Sequence, residues 1–180
     1  GLGLGLGLGL GLGLGLELSE TAARSAKPAS VVANSLWEAM GGDMAVPNSS
    51  GAASPSDEQR RLYAAAYEQI ETNIAALKPG LAFRDVSERC WKIPDEFLSN
   101  RYSVLIHGVG LADEYPSIKH WVDFEKKGYD GEVVPGMTLC VESFIGSEGG
   151  REGVKLEEQV IITETGVERM STYPYQIDWL

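Results

Sequence analysis

Three residues of this chain have the types from which a divalent-metal site is built: His107, Glu142 and Glu157. His107 opens a glycine-containing run, His107-Gly108-Val109-Gly110-Leu111. Glu142 interrupts an apolar stretch, Leu139-Cys140-Val141-Glu142-Ser143-Phe144-Ile145, and Glu157 lies in Gly153-Val154-Lys155-Leu156-Glu157-Glu158. A carboxylate in an apolar segment costs free energy unless it is paired, hydrogen-bonded or coordinated. Imidazole with carboxylates is a borderline-to-hard donor set. It suits iron, manganese, cobalt or zinc better than a thiolate-seeking metal. The glycines after His107 would let backbone pack close to a bound ligand. Each residue also has an ordinary role open to it. His107 can be a satisfied strand-end residue, Glu157-Glu158 a solvated face, and Glu142 the partner of Lys155 or Arg151.

The elements that must position the trio are legible in the patterning. Thr138–Ile145 and Val154–Thr163 read as strands, with the glycine-rich stretch Gly146–Arg151 between them. A hairpin centred between Gly149 and Gly150 sets Glu142 opposite Glu157 on one face, with Cβ atoms about 5 Å apart. Two carboxylates that close repel unless a cation or a proton lies between them. Tyr102–Ile106 reads as the strand that delivers His107. Ala112–Pro135 is polar and aromatic and reads as a long loop, with His120 and Trp121 on its surface. Val167–Ser171 reads as a last strand. Upstream, Ser56-Asp57-Glu58-Gln59 has the form of a capping box. Leu62, Ala66, Ile70, Ile74 and Leu77 then make a helical stripe beside Tyr63 and Tyr67. Lys78-Pro79-Gly80 stops that helix. A second helix is expected from Phe83 to about Trp91, and a short helical piece after Pro94.

Composition narrows the partners. The 180 residues include 15 Lys plus Arg and 26 Asp plus Glu, for a net charge of −11. Nucleic-acid binding wants a basic face, so that partner is excluded. Cys90 and Cys140 have no neighbours at metal-ligand spacing and read as reduced, buried thiols of a cytoplasmic protein. Residues 1–16 are a Gly-Leu low-complexity repeat. It is short of the roughly 20 apolar residues that span a bilayer, and half of it is glycine. No membrane segment is therefore expected. Residues 17–55 read as linker, in which Val31–Met40 could form a short helix, and 56–180 as the folded part. A chain that starts at Gly rather than Met reads as a fragment, a processed product or a gene-model artefact.

Four pieces in order carry a resemblance: His107-Gly-Val-Gly-Leu, Pro135-Gly136-Met137-Thr138-Leu139-Cys140-Val141-Glu142, Gly153-Val154-Lys155-Leu156-Glu157, and Thr163-Glu164-Thr165-Gly166. Together they resemble the pita-bread metalloenzymes, which include methionine and proline aminopeptidases, prolidase and creatinase. The resemblance covers roughly Ser56 to Met170. It implies an α+β fold, the C-terminal portion of a pita-bread domain, with helices packed on a curved, mostly antiparallel sheet. It implies that His107, Glu142 and Glu157 match three of five metal ligands. The other two belong to an Asp-x-Asp pair, and none occurs in residues 1–55. The missing sheet partners imply exposed edges on the Thr138 and Val154 strands.

Within that group the chain looks like the DddP-type dimethylsulfoniopropionate lyases. Peptidases carry a second His seven positions after the first; here that position is Glu114. The preceding Asp113 matches the general base of the lyase branch, and Tyr102 a substrate-contacting tyrosine. The implied reaction is β-elimination to dimethyl sulfide and acrylate. The implied metal is iron, and the implied partners are a small-molecule substrate and a second copy in a homodimer. Two rivals stand beside this expectation: an Xaa-Pro-type metallopeptidase, and an inactive pita-bread interaction module.

Overall fold

The computed structural model describes residues 55–180. The Gly-Leu repeat and the Val31–Met40 helix lie outside the described residues, as does the linker up to Ser54. Helix α1 spans Asp57–Ala76. It starts where the capping box predicts. Ser56 Oγ accepts from the Gln59 N–H at 3.2 Å, and Gln59 Oε1 accepts from the Ser56 N–H at 2.9 Å. Each bond satisfies a backbone N–H that the first helical turn leaves without a partner. Ser56→Ala should lower stability by about 1 kcal/mol in urea titration, the usual cost of a lost N-cap. Lys78-Pro79-Gly80 follows the C-cap Leu77, and Gly80 takes φ +83°, which L side chains rarely adopt.

Two short helices follow, α2 (Phe83–Arg89) and α3 (Asp95–Leu98). Then come strands β1 (Ile106–Gly108) and β2 (Ser117–Ile118), helix α4 (Trp121–Lys127), and strands β3 (Thr138–Ile145), β4 (Val154–Ile162) and β5 (Val167–Arg169). The five strands form one antiparallel sheet in the order β2-β1-β3-β4-β5. A 3-10 turn at Ile177–Trp179 ends the chain.

Alternation along the strands gives the sheet two different faces. Leu139, Val141 and Ile145 of β3 share one face with Leu156, Val160 and Ile162 of β4. These residues form a single apolar cluster with Leu62, Ala66 and Ile70 of α1. The stripe read from the sequence is the buried side of α1, with Ile74 half-buried at its margin. The opposite face carries His107, Cys140, Glu142, Lys155 and Glu157.

The β3–β4 register pairs Glu142 with Glu157, as the hairpin argument requires. The turn that fixes it is Ser147–Gly150, closed by the Gly150 N–H on Ser147 O at 3.0 Å, with Gly149 at φ +71°. Glycine takes that left-handed conformation at no steric cost.

Four sequence expectations need correction. The paired strand is Ile106–Gly108, not Tyr102–Ile106. Arg101 is tied to Leu98 O and to both oxygens of Asp123, which holds residues 101–104 off the ladder. The stretch 112–135 is not a bare loop, for it contains β2 and α4. Both are too short to show a period, and α4 buries only Phe124. His120 is not a surface residue. It is 3% exposed, while the adjacent Trp121 stays exposed under Lys92. Finally, β3 is not an edge strand. It has β1 on one side and β4 on the other. β5 covers only the Val160–Ile162 end of β4, so the expectation of an open edge holds for the Val154–Glu158 end.

Candidate metal centre

His107 is carried by β1, with Cys140 of β3 as its register partner. Gly108 is required next to it. A Cβ there would collide with the backbone oxygen of Tyr115. The close approach at this glycine is to the returning chain, where the sequence reading expected a bound ligand. His107 Nδ1 lies 2.9 Å from Gly108 O, and Nε2 lies 2.9 Å from Glu142 Oε1. A backbone carbonyl only accepts, so Nδ1 carries the hydrogen. In the neutral ring Nε2 then turns its lone pair toward a carboxylate oxygen. Two acceptors at that separation need a proton or a cation with them. Fixing one ring nitrogen on a carbonyl while the other faces out is how metal-ligating histidines are held.

Glu142 is 2% exposed. Its Oε1 also accepts from the Cys140 thiol, 3.7 Å away. His107, Cys140 and Glu142 bring one donor atom each within 4.8 Å of one another. Glu157 is not part of that close group. It is joined to Glu142 through Lys155, whose Nζ touches Glu142 Oε2 and lies 3.0 Å from Glu157 Oε1. Both contacts are ion pairs between the ammonium and a carboxylate oxygen. Glu142 thus pairs with Lys155, as one sequence alternative allowed. Glu158 is no solvated face. It points to the helix side, 3% exposed, and accepts from the Tyr175 hydroxyl at 3.3 Å.

Tyr102 lies at the same place, with Lys155 Nζ 3.8 Å from its ring centroid. Burial raises the Tyr102 phenol above its ordinary pKa, and the carboxylates of Glu114 and Glu157 add to the shift. Burial lowers the Lys155 ammonium, with the Glu157 charge opposing. Burial likewise pushes the Cys140 thiol up to about 12. The acidic side chain of the 109–115 loop whose charge acts on Tyr102, Cys140 and Lys155 is Glu114. Asp113 is exposed on the turn closed by its own N–H on Gly110 O, at φ 58°. A non-glycine residue in that region is uncommon and marks a loop whose shape is imposed.

Reading the sequence residue by residue offered Lys155 only as an alternative partner of Glu142 and missed Cys140 as a member of the group. Both were available from strand parity: Cys140 is two positions from Glu142, and Lys155 two from Glu157. The thiol is a neutral hydrogen-bond donor here rather than a ready ligand. Iodoacetamide should leave Cys140 and Cys90 unmodified in the native protein and label both after denaturation. Intact-mass spectrometry reads this directly. Cys90 is likewise buried and pushed up to about 12.

The donor set fits a divalent ion in part. The His107 and Glu142 donor atoms converge, and the second carboxylate is one ammonium away. Residues 36–164 match the profile of metallopeptidase family M24, well over half of the chain. The chain belongs to metallopeptidase family M24. The enzymes of this family are metal-dependent, and the fold described above is part of their pita-bread fold.

Two relatives of the M24 chain are dimethylsulfoniopropionate lyases named DddP. That of Roseovarius nubinhibens is 41% identical over 125 residues, which is 69% of this chain and 28% of the relative. That of Roseobacter denitrificans is 43% identical over 108 residues, 60% of this chain and 24% of the relative. The chain therefore spans about a quarter of the length of either. Among solved structures, the prolidase from Pyrococcus furiosus superposes with a TM-score of 0.53 at 28% identity, covering 68% of this chain and 35% of that one. Among the described residues, no helix is long and apolar enough to cross a membrane.

Proposed function

We propose that this chain is part of a metal-dependent carbon–sulfur lyase that cleaves dimethylsulfoniopropionate to dimethyl sulfide and acrylate. The observation that carries the metal half of the reading is His107, fixed by Nδ1 on Gly108 O with Nε2 against Glu142 Oε1. The likeness to two DddP lyases supports the substrate. The ion would be held by His107 and Glu142, with Glu157 as the third ligand, and iron is the metal proposed. When bound, it would supply Lewis-acid stabilisation of the negative charge that develops beside the substrate carboxylate.

The chain's own residues do the rest. Asp113 takes the proton from the carbon next to the substrate carboxylate. The electron pair of that C–H bond forms the carbon–carbon double bond, and the carbon–sulfur bond breaks. The sulfur leaves with its bonding pair as neutral dimethyl sulfide, so acrylate remains and Asp113 holds the proton. Tyr102 offers an aromatic face to the cationic sulfonium. Asp113, the proposed base, lies on the exposed turn that follows the strand bearing His107. A small-molecule substrate is the partner this chemistry needs, and a cytoplasmic homodimer is the proposed setting.

Metal analysis together with headspace detection of dimethyl sulfide tests the reading. The expected result is product from the metal-loaded chain and none from Asp113→Asn, which retains the metal. A folded chain that holds metal and releases no dimethyl sulfide would remove the lyase assignment. The fold shared with the Pyrococcus prolidase favours a second reading, hydrolysis of Xaa-Pro dipeptides. Glu114 at the position of the peptidases' second His opposes it, and release of proline from a Gly-Pro substrate would establish it.

A further inference from the structure

We propose that the Lys155 ammonium is a built-in rival of the metal ion. It fills the cation position between Glu142 and Glu157 in the metal-free chain, and a divalent ion binds by displacing it. The proposal rests on the metal reading above and deepens it.

The strand register sets the arrangement. Lys155 lies opposite Phe144, two pairs along the hairpin from the pair Glu142–Glu157 and on the same face. Its two sequence neighbours, Val154 and Leu156, belong to the apolar cluster under α1. A lysine on the surface side of a strand normally extends its amine into water. Here the side chain is 6% exposed and its amine reaches back over the two carboxylates. The Tyr102 ring closes over it from above, so three separate groups hold one charge.

That charge offsets the repulsion between two glutamates that sit opposite each other in the hairpin. Facing carboxylates repel, and a cation between them relieves the repulsion. The same carboxylates are the ones a divalent ion needs. An ammonium and a dication cannot both lie between them, because like charges a few ångströms apart in a poorly solvated place repel strongly. The lysine has a flexible four-carbon stem and can leave by rotation of its side chain, without moving the strand. Its departure also uncovers the Tyr102 face, which becomes free for a cationic substrate. Metal loading and opening of the aromatic wall are thereby one event.

Lys155→Met keeps the stem and removes the charge. Calorimetric titration with Co²⁺ should show the variant binding roughly tenfold or more tightly than the parent chain, the scale of a typical coupling between two bound charges. Without metal, Lys155→Met should melt below the parent, and Co²⁺ should raise its melting temperature by more than it raises the parent's. Lys155→Gln, which keeps hydrogen-bond donors for the carboxylates, should bind Co²⁺ more tightly than the parent too if charge is what excludes the ion. It also serves if the methionine variant does not fold. If the parent binds Co²⁺ and the folded variants bind it no more tightly, Lys155 is not a rival and the proposal falls while the metal site stands. If neither parent nor variants bind Co²⁺, the metal reading itself falls and takes this one with it.

Discussion

Replacing Glu142 by alanine is expected to lower the unfolding free energy by about 3 kcal/mol and to end divalent-metal binding. Glu142 is 2% exposed, and both of its oxygens are engaged. Oε1 meets His107 Nε2 at 2.9 Å and the Cys140 thiol at 3.7 Å, while Oε2 meets Lys155. Deleting the carboxylate leaves a buried ammonium with Glu157 as its remaining ionic partner. Removing one member of a buried ion pair is far costlier than removing both, because the survivor keeps its desolvation cost. The double variant Glu142→Ala with Lys155→Met should therefore recover part of the loss, a non-additivity that a double-mutant cycle in urea measures. Glu142→Gln should cost less, since the amide fills the same space and can still accept from Cys140. A single-variant loss well below 1 kcal/mol would mean that the pair holds nothing together. Calorimetry on the same proteins reads the second half, loss of the ion.

How much of this was legible beforehand differs between the two faces of the sheet. The helix side could be read almost fully. Leu62, Ala66, Ile70 and Leu77 keep helical spacing, and burial of an apolar stripe needs nothing beyond that spacing. The Glu142–Glu157 register was legible because a hairpin of known centre has one solution, and Gly149 supplies the conformation the turn demands. The region from 101 to 135 was not legible, for physical reasons. Its elements are two to seven residues long, too short for a period to appear. Its order comes from contacts distant in sequence, such as the Arg101 fork on Asp123 and the Ser87 hydroxyl on Lys119 O. The site was legible in its ligand types and not in its charge balance. Lys155 is one of two basic residues that the sequence offers as a partner for Glu142, and the register with the Tyr102 ring shows that its amine turns inward over both glutamates. The match to family M24 gives the kind of site, but the cation between the glutamates belongs to the packing of this chain.

The largest pH effect should come from His120, outside the metal site. It precedes α4 and is 3% exposed, and its Nε2 has no hydrogen-bond partner. Burial is the main cause that lowers its pKa to about 4, and the Arg101 charge acts in the same direction. Asp123 and a hydrogen bond to the Tyr102 backbone oppose the shift, and Lys119 adds to it. A histidine freed by unfolding returns to about 6.5. Between these values the unfolded chain binds a proton that the folded chain does not, so stability falls as pH is lowered through that window. The contribution is fully present above the unfolded pKa, and the folded state loses about 3 kcal/mol by the time the pH reaches the folded one. The measurement is urea unfolding at a series of pH values from 7 to 4. His120→Gln should flatten the slope between about 6.5 and 4, while Glu142→Gln should leave that slope in place. The direction of the effect distinguishes burial from pairing. A histidine held by Asp123 would gain stability as pH falls, and one whose proton is excluded by burial and by Arg101 loses it.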